Sequence, residues 1–265
     1  KEQTLKTDQD NAIVFQDPVD GQSAEMLQEY FLLLGEKVCT WLDQAGFDFC
    51  KGNIMAKNPK WCRSLSDWKN YFSSWIHEAS PQNLLHTSIF FDFRHAYGNI
   101  QITKELSRYL EEILLERPLF FRVMAQNANK FAPPLGLFSR LITESKGPHK
   151  NCMDIKKANQ PIVDFAKIYS LKHNIRQTAT QDRLYQLYTG KVLTRDAYND
   201  IEQAYSFNMQ LRFKGQIQAI LINNMKPDNY INPKELSPIE KRMLKEVLKR
   251  IKQVQTKMEM DFIRD

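Results

Sequence analysis

The stretch Lys1-Glu2-Gln3-Thr4-Leu5-Lys6-Thr7-Asp8-Gln9-Asp10-Asn11-Ala12-Ile13-Val14-Phe15 decides how this chain is read. Its apolar end, Ala12 to Phe15, is closed by Asp17-Pro18 and predicts a short buried strand. The residues feeding that strand carry Asp8 and Asp10, and side chains two apart on an extended segment project from the same face. Paired carboxylates repel each other, and a raised pKa on one of them or a divalent cation between them relieves the repulsion. Magnesium, or manganese in its place, suits the pair, because it takes hard oxygen ligands and fills its other positions with water and phosphate oxygens. Spacing alone also fits a plainer reading, in which both Asp side chains satisfy local backbone N–H groups at the start of a strand.

Composition sets the outer limits. The chain has 265 residues, 42% hydrophobic and 26% charged, which is enough for one large or two modest domains with buried cores and excludes disorder as the default. No apolar run approaches the ~20 residues needed to cross a bilayer, and no secretory signal pattern opens the chain, so a cytoplasmic protein with no membrane partner is expected. Cys39, Cys50, Cys62 and Cys152 lack C-x-x-C spacing, and free buried thiols are expected in place of a zinc site or a disulfide framework. A net charge of +6 suits nucleotide ligands. Much of it lies in Lys241, Arg242, Lys245, Lys249, Arg250 and Lys252, which read as a solvated helix face and not as a nucleic-acid surface.

The remaining pattern is mostly helical and predicts an α+β chain, with a sheet and flanking helices over residues 1–146 and an α-helical bundle over 147–265. Ser23 caps a helix reaching Gly46, with Leu27, Phe31, Leu34, Val38, Trp41 and Ala45 inward. Asn53 to Lys57 reads as a strand. Ser64 caps a helix that buries Leu65, Trp68, Phe72, Trp75 and Ile76, which makes the seven-residue spacing of Trp61, Trp68 and Trp75 a core feature before a base-stacking one. Ser88 to Arg94 reads as a fully buried strand. A helix with Leu106, Leu110, Ile113 and Leu114 ends at Pro118, and another spans Leu119 to Asn129. Pro161 is expected at a first helical position, Thr178 or Thr180 and Thr194 as caps, and Ser237-Pro238-Ile239-Glu240 as a capping box.

Several motifs carry a specific resemblance. Glu2-Gln-Thr-Leu-Lys-Thr-Asp-Gln-Asp-Asn-Ala12 closely resembles the active-site motif of the bacterial signal-transduction nucleotidyltransferases, relatives of the PII-protein uridylyltransferases in the polymerase-beta-like superfamily. Gly46 to Trp61 and Ser88 to Arg94 are similar to that family's second and third signatures. Pro133-Pro134-Leu135-Gly136-Leu137-Phe138 and Asp154 to Asp164 resemble its C-terminal half. The resemblance implies a polymerase-beta-like mixed sheet followed by a helical substrate-binding bundle, and cyclic-nucleotide-binding and CBS domains upstream in the full-length protein. One departure stands out: the superfamily's phosphate-holding Gly-Ser turn would lie ahead of Lys1. A fragment is therefore expected, which a start without Met favours, or else a protein without a working phosphate cradle.

The expected activity is transfer of a nucleoside monophosphate from a nucleoside triphosphate to a hydroxyl acceptor, for which the resemblance leaves open a side chain of a signalling protein or, as in aminoglycoside-modifying relatives in the superfamily, a small molecule. Asp8 and Asp10 are the expected catalytic metal ligands. Asp92 has two open readings, as a third carboxylate holding metal or taking a proton, or as the ion-pair partner of Arg94. Lys1, Lys6, Arg94 and Lys156 are the candidate phosphate contacts, each with the plainer alternative of an exposed or salt-bridged side chain. The competing reading is a non-catalytic regulatory or interaction module that keeps the nucleotidyltransferase fold.

Overall fold

The computed structural model describes residues 2–19, 23–222 and 224–264. Its contacts divide the chain into two compact units, Thr7–Arg117 and a second that joins Lys1–Lys6 to Pro118–Asp265.

The Thr7–Arg117 unit contains β1 (Ile13–Phe15), α1 (Ala24–Gln44), β2 (Cys62–Ser64), α2 (Leu65–His77), α3 (Pro81–Phe90) and α4 (Ile100–Glu116). Strands β1 and β2 pair in parallel, with Ile13 opposite Cys62 and Phe15 opposite Ser64. Ser23 begins α1 as expected, its hydroxyl accepting from the Met26 N–H, and Gly46 adopts a left-handed φ of 95° just beyond the helix. The buried face of α1 is rotated from the expected one: Gly35 and Cys39 are buried, whereas Leu34 and Trp41 are 42% and 61% exposed. The cause is a close backbone approach. A Cβ on Gly35 would lie 2.5 Å from the Ala56 carbonyl oxygen, so only glycine lets α1 sit this near the 54–57 loop.

That loop is where a strand was expected over Asn53 to Lys57, and turns are found instead. Asn53 has a φ of 54°, and the N–H groups of Asn58 and Trp61 donate back to the Met55 and Asn58 carbonyls at 2.9 and 2.8 Å. Short-range hydrogen bonds occupy much of this backbone, and the Ile54 carbonyl and Ala56 N–H pair with Asn11, so no continuous ladder forms.

Beyond β2 the chain turns directly into α2, whose cap is Ser64 and whose buried residues are Leu65, Trp68, Phe72, Trp75 and Ile76. Trp61, Trp68 and Trp75 pack against Phe90 with ring centroids 4.6, 5.0 and 5.5 Å away, so the aromatic series forms the core of this unit. The expected strand at Ser88 to Arg94 is also corrected. Ser80 accepts from the Asn83 N–H, Pro81 fills the first turn, and the helix α3 continues to Phe90. Leu84, Thr87, Phe90 and Phe91 are buried, and the spacing of the first three is that of a helix face.

The second unit contains α5 (Leu119–Ala128), β3 (Met153–Asp154), α6 (Ile155–Lys172), α7 (Thr180–Thr189), α8 (Arg195–Leu221), β4 (Tyr230–Ile231) and α9 (Pro238–Phe262). Helix α6 is its centre, packed by α5, α7, α8 and α9. Pro161 lies inside α6 and not at its start, because Asp154 accepts from the Lys157 N–H and opens the helix earlier. Burial of Ile155, Ala158, Ile162, Phe165 and Ala166 on both sides of the proline offsets the lost backbone bond. Thr180 does not cap α7; its hydroxyl donates to the Glu2 carboxylate. Thr194 caps α8, and Ser237 and Glu240 form the expected capping box on α9.

The compact units divide at Pro118, not at the 146/147 boundary read from the sequence, because α5 packs on α6 and α9. No described helix is long and apolar enough to cross a membrane.

Two outcomes are expected. Gly35→Ala should destabilise the Thr7–Arg117 unit by about 1–3 kcal/mol through overpacking against backbone, read from denaturant unfolding. The second concerns His86, 4% exposed and packed on Trp61 and Trp75. Burial foremost, then Lys60, holds its pKa below the ordinary 6.5, so the folded state favours the neutral ring. The unfolded chain then binds the proton more readily, and stability falls as pH drops below about 6.5. The slope of the thermal midpoint between pH 7 and 5 should flatten in His86→Phe.

Candidate functional site

The segment Asp8 to Ile13 runs along the 48–61 loop, joined to it by alternate backbone N–H groups. Gln9, Asn11 and Ile13 donate to the carbonyls of Asp48, Ile54 and Trp61 at 3.0, 3.1 and 3.0 Å. Asp8 stands opposite Asp48 in a parallel bridge. An extended backbone alternates its side chains, so the inward residues here dictate where the outward ones go.

Gln9 points inward and is 3% exposed. Its Nε2 donates to the carbonyls of Cys39, on α1, and of Phe47, each at 3.0 Å. Asn11 continues the same inner row. Its Nδ2 donates to Gln9 Oε1 at 3.3 Å, and its Oδ1 accepts from the Ala56 N–H at 2.8 Å and from the Cys39 thiol at 3.5 Å. These bonds use groups that burial would otherwise leave unpaired, and they resist rotation or slippage of the segment. Asp8 and Asp10 are thereby turned out and are both exposed.

Asp10 accepts a hydrogen bond from the Cys50 thiol. Burial pushes that thiol above its ordinary pKa, and the bond and charge of Asp10 act in the same direction, so Cys50 serves as a protonated donor.

The other expected site residues are distributed unevenly. Asp92 lies just past α3, buried at 8% exposure, and Arg94 is exposed nearby in sequence. Among the described residues no three His, Cys, Asp or Glu side chains gather into a metal-holding group, so Asp8, Asp10 and Asp92 do not form a three-carboxylate cluster. Lys6 and Lys156 are exposed and belong to the helical unit. Lys1 lies outside the described residues. The sequence reading passed over Gln9, Asn11 and Cys50. The signal for the first two was the alternation itself, since a strand that turns Asp8 and Asp10 outward must bury the polar residues between and after them.

The donor set suits a hard cation: two exposed carboxylates on one edge, without imidazole or free thiolate. Magnesium, which retains much of its water, needs no more protein ligands than these.

Residues 1–82, which contain the carboxylate pair, match the family described as "Putative nucleotidyltransferase DUF294". Residues 118–262, the bulk of the helical unit, match the family described as "Putative nucleotidyltransferase substrate binding domain". No curated protein matches the chain.

Gln9→Leu should cost about 1–3 kcal/mol in denaturant unfolding, because two buried carbonyls lose their donor. Asp10→Asn, on the exposed edge, should leave unfolding unchanged or slightly delayed by the relief of like-charge repulsion. Comparable large losses in both variants would make the outer row structural as well.

Proposed function

The chain belongs to the family described as "Putative nucleotidyltransferase substrate binding domain", joined to a "Putative nucleotidyltransferase DUF294" segment, and from that premise we propose that it transfers a nucleoside monophosphate from a nucleoside triphosphate to a hydroxyl acceptor, with magnesium held by Asp8 and Asp10. The observation that carries this reading is the alternation of Asp8 and Asp10 outward with Gln9 and Asn11 inward. A divalent ion bound there would neutralise phosphate charge and favour ionisation of the acceptor hydroxyl.

In this reaction the acceptor oxygen bonds to the α-phosphorus, the bond from that phosphorus to the bridging oxygen breaks, and pyrophosphate leaves with the electron pair. Gln9 and Asn11 act as positioning residues. By anchoring the segment to the Cys39, Phe47 and Ala56 backbone they hold both carboxylates in a fixed register before the substrate arrives, so little reorganisation is needed during transfer. The Cys50 thiol orients the Asp10 carboxylate. Asp92, if it approaches the acceptor, is the group to receive its proton, and Arg94 in the same compact unit is a phosphate contact by charge. Lys1, Lys6 and Lys156 remain proposed phosphate contacts on the same ground. Resemblance to the PII uridylyltransferases supports a side-chain hydroxyl of a signalling protein as acceptor.

Calorimetric titration of the four nucleoside triphosphates with magnesium tests the reading. One of them should bind with a dependence on both magnesium and Asp10, and Asp10→Asn should abolish that binding with the thermal midpoint unchanged. A folded chain that binds none of the four would instead mark a regulatory module.

A further inference from the structure

The helical unit holds a polar cleft of which the carboxylate reading uses only Lys156. It opens between α6 and α8, takes in about 330 Å³, and is walled by Lys156, Asn159 and Gln160 from one helix and Asn208, Met209 and Arg212 from the other.

Asn159 and Asn208 lie almost wholly buried, at 4% and 1% exposure. Asn208 Nδ2 donates to Asn159 Oδ1 at 3.2 Å. That single bond leaves Asn159 Nδ2 and Asn208 Oδ1 without a partner among the described residues. Turning both amides over exchanges the roles and leaves the same balance, one donor and one acceptor. Buried amides are ordinarily paired, so a donor and an acceptor left over on two residues that line one cleft mark a place for a ligand that presents the reverse pair.

Positive charge sits one helical turn away on α8. Arg212 is 4% exposed, and it donates through Nε to Asn229 Oδ1 at 2.8 Å and through Nη1 to the Glu2 carbonyl at 2.9 Å. Its Nη2 is not used by these bonds. Lys156 is exposed in the first turn of α6, where the helix N-terminus also favours negative charge. The Glu2 carboxylate borders the cleft too, but it accepts from the hydroxyls of Thr180 and Tyr205.

We infer that this cleft binds a nucleoside phosphate, with the base edge on the Asn159–Asn208 amide pair and the phosphate on Arg212 and Lys156. An adjacent donor and acceptor on one rigid planar edge is common to the nucleobases, and Met209 and Val163 offer apolar contact to a ring face. The inference is independent of the roles given to Asp8 and Asp10, which lie in the other compact unit.

The test is calorimetric titration of UMP, CMP, AMP and GMP into the full chain in the presence of a metal chelator, with inorganic phosphate as the control. At least one nucleotide should bind tenfold or more tightly than phosphate. Asn208→Leu and Asn159→Leu should weaken that nucleotide at least tenfold while leaving weak phosphate binding in place, and Lys156→Ala should weaken both ligands. Should either leucine variant fail to fold, Lys156→Ala, a change at an exposed side chain, still decides the matter. Nucleotide binding no tighter than phosphate, or binding indifferent to these changes, overturns the inference. So does binding that vanishes in Asp10→Asn, since it would then belong to the carboxylate site. Displacement of the bound monophosphate by the magnesium complex of its triphosphate identifies the cleft's occupant as the donor substrate, whereas simultaneous binding identifies a separate regulatory nucleotide.

Discussion

The hydrogen bonds that Gln9 makes to the Cys39 and Phe47 carbonyls are the constraint on which the candidate site depends. They tie an extended segment to the end of α1 and to the loop that follows it, and Asn11 extends the tie to Ala56. Because side chains alternate along such a segment, satisfying the inner row leaves the outer row no choice of direction. The close approach of α1 at Gly35 belongs to the same arrangement, since it brings the helix against the 54–57 loop that Asn11 reads. Backbone polarity and one missing Cβ thus set the direction of two acidic side chains.

The helical unit solves a different problem. Helix α6 is covered by α5, α7, α8 and α9, so that even Lys167 and Ser170 on it are buried. A helix enclosed in this way must find partners for its polar groups, and most of them do. The residues around Arg212 show how: it donates to Asn229 and to the Glu2 carbonyl, while Gln216 donates to Asn229 and accepts from the Leu5 N–H. The stretch just ahead of the carboxylates therefore belongs to the helical unit, and the chain passes to the other unit between Lys6 and Thr7. Among the described residues of this unit, Asn129, Asn159, Ser170 and Asn208 each keep one buried polar atom outside that pairing, and Asn159 and Asn208 are the two that line the cleft.

Much of the fold was legible in local chemistry. Ser23, Ser64, Thr194 and the Ser237–Glu240 box mark helix starts where the sequence placed them, because a cap needs only the few residues around it. The buried set of α2 was equally clear from its spacing. Ser88 to Arg94 was misread because a short apolar run is compatible with a strand and with the end of a helix, and the Ser80-Pro81 start that resolves it lies upstream. Thr178 or Thr180 was read as the cap of α7, but the N-cap position falls on Ala179 and the Thr180 hydroxyl is engaged by Glu2, a residue remote in sequence.

The sequence by itself determined most of the helices, the caps at Ser23, Ser64, Thr194 and Ser237, the aromatic core series and the acidic pair at Asp8 and Asp10, all of which follow from spacing within one or two turns or a few strand residues. Only the tertiary structure decided which face α1 buries, where the compact units divide, that Gln9 and Asn11 brace the carboxylates, and that Asn159 and Asn208 share a cleft with Arg212. The physical reason is range. Periodicity and capping are properties of neighbouring residues, whereas the partner of a buried amide or the space beside a glycine is supplied by chain that sequence order keeps far away.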